Sequence, residues 1–152
     1  MPETFDKFRE MRYNSDKKIR REIHLISKEI KLKKDSFGQE RLRNYKKASI
    51  LAEKTRGYVL NPESKDGKSK AYVVKSVLGY EQADYEEFAQ LIRSNLPYYR
   101  AHESHGNAYG QKYTVPMVLI GKIGRRLEVT TVWQFDNGKD FPRFITLTFK
   151  EG

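Results

Sequence analysis

The chain has 152 residues, 30 of them Lys or Arg against 20 Asp or Glu, for a formal net charge of +10, and it has three His and no Cys. That length suits one modest core, and the basic excess suits a polyanionic partner, nucleic acid before an anionic membrane face. Without thiols there is neither a disulfide framework nor a thiolate zinc site, no apolar run reaches the roughly eighteen residues of a membrane span, and MPETFDKF lacks the order of a signal peptide.

The charge is uneven: residues 1–60 carry 17 Lys/Arg and 9 Asp/Glu, whereas residues 61–152 carry 13 and 11. Over residues 15–34, Ile19, Ile23, Ile26 and Ile30 recur at spacings of four, three and four, with Ser15 or Asp16 placed to cap and KLKK near the end. This predicts an amphipathic helix. Turn chemistry at Asp35-Ser36-Phe37-Gly38 leads into a second, weaker helix over residues 39–54, with Leu42, Tyr45, Ser49 and Ala52 on one side. The polar side of this hairpin mixes Glu22, Glu29, Glu40 and Glu53 with its bases, which favours a tether or scaffold over a membrane-lying or DNA-reading pair.

The texture changes at Arg56. Gly57-Tyr58-Val59-Leu60 reads as a short extended or turn segment, and LNPESKDGKSKA then gathers Lys65, Lys68 and Lys70 around Gly67. Val73, Val74, Val77 and Leu78 predict a short helix over residues 70–78, closed by Gly79. A clearer helix starts at Asp84, holds Tyr85, Phe88, Leu91, Ile92 and Leu96 in register and stops at Pro97. The remainder reads as strand: residues 112–120, then 126–135 with Leu127, Val129, Thr131, Trp133 and Phe135 in alternation, then 143–149, separated by GKIG and DNGKDFP turns. Helices followed by a small antiparallel sheet predict the α+β class, with Trp133 in the core.

Three clusters carry chemistry. GKSK, opening the helix near Lys70, offers unpaired N–H groups and a partial positive charge to an anion, and Lys68 and Lys70 add full charges. It is not a P-loop, because Pro62 stands where G-x-x-x-x-G-K-[ST] needs its first glycine. The loop HESHGNAYGQKY, residues 102–113, combines His102, His105, Asn107, Tyr109, Gln111, Lys112 and Tyr113, the mixture of proton-transfer groups, amides and rings that metal-free RNA cleavage uses. His105 leads as acid or base, ahead of His102 beside Glu103 and of His24 in the basic helix. In DFPRFITLTF, Phe144, Thr146 and Thr148 are expected on one face and Ile145, Leu147 and Phe149 on the other, with Arg143 placed at the strand entrance for bidentate bonds to phosphate. The plain alternatives are a solvated lysine loop, histidines titrating in solvent, and threonines that are simply good strand residues.

Taken together, YVLNPESKDGKSKAYVVKSVLGY, YGQKY, TTVW and FPRFITLTF resemble a bacterial domain family found at the C-terminal tips of polymorphic toxins and of phage head proteins. That family looks like part of the barnase, EndoU, colicin and RelE group of metal-independent ribonucleases, and the resemblance covers about residues 55–149. It implies a barnase/RelE-like α+β domain over residues 55–152 behind a basic helical extension or tether over residues 1–54. The implied activity is that of an endoribonuclease toxin without metal or cofactor, cleaving RNA by attack of the 2′-OH to leave a 2′,3′-cyclic phosphate. RNA, tRNA included, is the implied substrate and an immunity or antitoxin protein the implied partner. The protein is expected as a monomer acting in the bacterial cytoplasm, delivered within a larger toxin or phage protein.

By position the resemblance points to Asn61, Lys70, Tyr109, Gly110, Trp133, Arg143 and Thr146. Joined to the clusters above, the candidate catalytic residues are Lys70, His105, Tyr109, Arg143 and Thr146, with Asn61, Lys65, Lys68, Gln111, Tyr113 and Thr148 for substrate binding. Two departures bear on this set. Relatives often carry His-Pro where this chain has Ser64-Lys65, so proton transfer falls to His105 or to a Lys or Tyr, or this copy is inactive. Thr148 also stands where relatives often have Tyr. The competing readings are a non-catalytic nucleic-acid-binding module using the same basic groove, and a phage structural or packaging appendage whose helices bind a scaffold.

Overall fold

Apolar residues at every second position of two long strands fix the centre of the fold. The computed structural model of the chain describes residues 19–23 and 41–149. In it β1 (His102–Asn107), β2 (Gly110–Ile120), β3 (Arg126–Asp136) and β4 (Arg143–Phe149) form an antiparallel meander in the order β1-β2-β3-β4. The expected alternation of β3 holds: Val129, Thr131, Trp133 and Phe135 are buried and lie opposite Met117, Val115, Tyr113 and Gln111 of β2.

The helices cover that same face. α1 (Ala52–Lys54) widens into a further helical turn over Thr55–Val59, α2 (Lys68–Val73) does so over Val74–Leu78, and α3 (Tyr85–Asn95) is the one long regular helix among the described residues. Val59, Leu60, Val74, Leu78, Phe88, Ile92 and Leu96 pack from the helices onto Val115, Met117, Leu119, Trp133, Phe144 and Leu147 of the sheet. Each such side chain contributes about 1.5–3 kcal/mol when fully buried. The fold is therefore α+β, with one core between a helical layer and one side of the sheet. Trp133 sits in that core as expected, its indole N–H donating to Thr131 Oγ1 at 2.8 Å while the Thr131 hydroxyl donates to the Val115 carbonyl at 2.9 Å.

Local signals account for the ends. Gly79 takes φ 78° and its N–H reaches the Val74 and Lys75 carbonyls, closing the α2 extension as expected. Before α3, the Asp84 carboxylate accepts the Glu81 N–H at 2.8 Å in a capping box. Pro97 lies in the 3₁₀ turn Leu96–Tyr98 that ends this helix. No helix among the described residues is long and apolar enough to cross a membrane.

Four expectations need correction. In the segment expected to be extended or a turn, Gly57, Tyr58 and Val59 are helical and Leu60 is in the turn that follows, which buries both Val59 and Leu60 against the core, and the Leu60 N–H reaches back to the Thr55 carbonyl. Residues 102–107 are an edge strand rather than a loop, since His102, Glu103 and Ser104 pair with Thr114, Tyr113 and Lys112.

The second helix of the hairpin is not continuous. Its described part has a 3₁₀ turn at Tyr45–Lys47, then extended backbone at Ser49, whose N–H donates to the Pro142 carbonyl and whose own carbonyl accepts the Phe144 N–H. The boundary expected at residue 54 thus falls inside the packed body. Leu42 and Ala48 are core residues, the Arg43 guanidinium lies over the Phe135 ring at 4.6 Å, and Arg93 donates to the Ala48 carbonyl. Of the first predicted helix, residues 19–23 are helical, while His24, the cap at Ser15 or Asp16 and the turn at Asp35–Gly38 lie outside the described residues.

The fourth correction concerns β4. Phe144 does not share a face with Thr146 and Thr148; it is buried with Leu147 on the helical side. The register runs Trp133 to Phe144 but Val132 to Thr146, so Ile145 is an extra residue on β4, a β-bulge.

Candidate functional site

The bulge decides which residues meet. Arg143 and Thr146 are three positions apart, and strict alternation would put them on opposite faces. With Ile145 inserted, Arg143 pairs with Gln134 and Thr146 with Val132, and both join the face away from the helices. Following the register across the sheet, that face has one row of His102, Thr114, Val132 and Thr146, and beside it a row of Ser104, Lys112, Gln134 and Arg143. Asn107, Gly110 and Asp136 form the next row, at the end where the β1–β2 turn lies. Thr148, exposed, continues the face on β4.

Lys70 reaches Thr146 from the helical layer. The turn before α2 is shaped by Asn61, whose Oδ1 accepts the Glu63 N–H at 3.0 Å, and by Ser64, whose Oγ accepts the Gly67 N–H at 3.1 Å. Gly67 is required there, because a Cβ would stand 2.1 Å from the Tyr58 carbonyl oxygen. This close approach sets α2 against α1, and Lys70 Nζ then donates to Thr146 Oγ1 at 2.8 Å while lying 5.2 Å from the centre of the Tyr58 ring. A half-buried ammonium is held in one place by a hydroxyl and an aromatic face. Lys65 and Lys68 project from the same turn as exposed cations.

Arg143 is organised differently. Its Nε and Nη2 donate to the two carboxylate oxygens of Asp136 at 2.9 and 3.0 Å, a bidentate fork. Gln134, nearly buried, donates from Nε2 to Asp136 Oδ1 at 2.7 Å and accepts from Asn107 Nδ2 at 3.4 Å. The hydrogen bonds from Arg143 hold the Asp136 carboxyl below its ordinary range, although partial burial opposes them, and the same contact raises Arg143. The expected bidentate bond from Arg143 to phosphate thus meets a fork already filled by Asp136, and a phosphate at Arg143 would use its remaining N–H groups.

Sequence-predicted residues therefore separate into groups. Lys70, Thr146, Arg143 and Thr148 come together at the β4 edge. His105 lies on β1 in a shallow hollow with Glu103, Ser104, Gly106 and Gln111, at the opposite edge of the sheet and three strand spacings, about 14 Å, from β4. Gln111 Nε2 is committed to the Ser104 carbonyl at 2.6 Å, and Tyr113 packs edge-on to Phe135 at 5.5 Å, partly buried beside the core. Asn61 shapes its own turn. Tyr109 stands exposed at the tip of the β1–β2 turn, close to Asp136 along the paired strands.

Asp136 and Gln134 were missed, as was the standing of Lys112 in the Arg143 row. Asp136 reads as the first residue of a DNG turn, and nothing in its own neighbourhood shows that a bulge nine residues later, at Ile145, aims Arg143 at it. Among the described residues no group of three or more His, Asp or Glu is placed to hold a metal ion.

Fold and surface together define an α+β domain with helices on one face of a four-stranded meander and a polar, cation-bearing face on the other. Residues 41–151 match the model of a family described as a domain of unknown function, DUF6883, and the chain belongs to that family. Comparison with curated proteins and with solved structures finds no match.

Proposed function

We propose that the sheet face bearing Lys70, Thr146 and Arg143 binds an RNA phosphodiester and cleaves it without metal. The observation that supports this most strongly is the Lys70–Thr146 contact at 2.8 Å, which holds an ammonium at the rim of a polar sheet face that the described helices leave uncovered. Residues 41–149 carry 18 Lys/Arg against 11 Asp/Glu, so the domain itself attracts a polyanion without its N-terminal segment.

In the reaction the ribose 2′-hydroxyl gives up its proton to solvent as its oxygen attacks phosphorus, and the bond to the 5′-oxygen breaks, leaving a 2′,3′-cyclic phosphate. Lys70 neutralises charge on the phosphorane, and with His105 across the sheet, Lys70 also supplies the proton to the departing oxygen. Lys68 and Lys112 hold neighbouring phosphates. The biological setting we infer is that of a toxin or phage-borne domain with a cognate immunity protein, and this rests on the sequence resemblance alone.

A second reading, binding without cleavage, is favoured by a specific observation: the Arg143 fork is filled by Asp136, and no imidazole on the described face is next to Lys70. Incubating the protein with total RNA in EDTA separates the two. Cyclic-phosphate ends support cleavage, and salt-sensitive retention of intact RNA supports binding alone.

A further inference from the structure

Tyr109 is 74% exposed, among the largest exposures of an aromatic ring in the described residues. A ring in water at the tip of a loose loop would need no explanation. This tip is not loose. Asn107 Oδ1 accepts both the Tyr109 N–H at 2.7 Å and the Gly110 N–H at 3.2 Å, the Asn137 N–H donates to the Tyr109 carbonyl at 2.8 Å, and Asn137 Nδ2 donates to the Ala108 carbonyl at 2.7 Å. Gly110 is pressed so close to β3 that a Cβ would stand 2.0 Å from the Phe135 carbonyl oxygen. Two asparagines and a sterically required glycine thus fix the backbone on both sides of an exposed ring.

The surroundings say what the ring meets. Gly110 pairs with Asp136, the residue that holds Arg143, and Lys139 follows three residues later on the same β3–β4 connection. Lys112 lies on the adjoining strand, in the Arg143 row. An aromatic surface beside cations, on a rigid mount, suits a flat π-system attached to phosphate.

We propose that Tyr109 is a stacking platform for an unpaired base of single-stranded RNA whose phosphates lie on the Arg143 and Lys112 side of the sheet. This deepens the function proposed above and rests on it, naming single-stranded over duplex RNA as the substrate class. In a duplex the base faces are occupied by their neighbours, so only an unpaired base can cover the ring.

The test measures binding of the full chain to a 2′-O-methyl oligoribonucleotide, which cannot be cleaved, and to the same sequence as a duplex. Tyr109→Ala is expected to weaken single-strand binding by about tenfold, to leave duplex binding within about twofold, and to leave the slope of affinity against salt unchanged because no charge is lost. Tyr109→Phe, which keeps the ring, is expected to bind like the native chain. Single-strand affinity undiminished in Tyr109→Ala overturns the stacking role while leaving the sheet-face reading intact, as does an equal loss on single strand and duplex. If the native chain binds neither strand form, both the stacking role and the sheet-face reading fall.

Discussion

Lys70 Nζ and Thr146 Oγ1, separated by 76 residues in sequence, lie 2.8 Å apart, one from the first turns of α2 and the other from the bulged edge strand β4. Helical layer and sheet are thereby joined by a polar contact at the rim of the face that carries Arg143. If that ammonium contacts the phosphorane, Lys70→Ala reduces RNA cleavage by on the order of a hundredfold. Its effect on melting temperature is small, since one part-buried hydrogen bond is worth about 1 kcal/mol net. Lys65→Ala, at an exposed position earlier in the turn, costs far less. Thr146 acts by positioning: Thr146→Val lowers kcat with KM little changed, and Thr146→Ser restores it. Equal activity of Lys70→Ala and the native chain would place the chemistry elsewhere.

The Arg143–Asp136 fork gives a pH-dependent prediction. Asp136 is depressed in the fold, so its contribution to stability is present above the ordinary carboxylate range and is lost as pH falls through the folded value. Asp136→Asn should therefore melt below the native chain at about pH 6, and the gap should narrow toward about pH 3. A gap that stays constant over that range would mean the carboxylate is not held by Arg143. Arg143→Lys should not restore an Arg143→Ala loss, because one ammonium cannot reproduce a two-bonded fork.

Much of the fold could be read directly from the chain. The β3 alternation, the Gly79 cap and the burial of Trp133 each follow from a local pattern that the tertiary structure did not override. The bulge at Ile145 was not legible, since one extra residue in FITLTF leaves no mark on composition or periodicity. It nevertheless moves Phe144 into the core and brings Arg143 round beside Thr146. HESHGN looked like a loop because its residues are polar, yet an edge strand paired on one side tolerates such a sequence. At the site, Lys70 and Thr146 were legible as separate candidates, and their contact depends on Gly67 pressing α2 onto Tyr58, a long-range fit.

The family match over residues 41–151 and the burial of Leu42 yield a truncation prediction. A chain beginning at Arg41 is expected to fold and to bind RNA more weakly with a shallower salt slope, because the N-terminal bases are gone. A chain beginning at Ala52 loses Leu42, Ala48 and the Ser49 pairing to Pro142 and Phe144, and is expected not to fold stably. Leu42→Ala in the full chain should cost roughly 2–5 kcal/mol, measured by denaturant unfolding. Cooperative unfolding of the shorter chain at native stability would return residues 41–51 to the status of a tether.

Gly67 can be tested apart from charge. Gly67→Ala places a methyl 2.1 Å from the Tyr58 carbonyl oxygen, so α2 must move. The expected cost is roughly 1–3 kcal/mol of stability, together with a loss of cleavage approaching that of Lys70→Ala, because Lys70 moves with the helix. Unchanged stability would show that the α1–α2 contact is not constrained as described.

The central claim is that the Lys70–Thr146 rim of the sheet cleaves RNA by 2′-OH attack without metal, and the measurement that bears on it most directly is the chemistry of the product ends. The native chain and Lys70→Ala are each incubated with RNA in excess EDTA and the new 3′ ends are mapped. The account predicts 2′,3′-cyclic phosphates from the native chain and about a hundredfold fewer from the variant. RNA left intact by the native chain, or cut only after Mg²⁺ is added back, would contradict it.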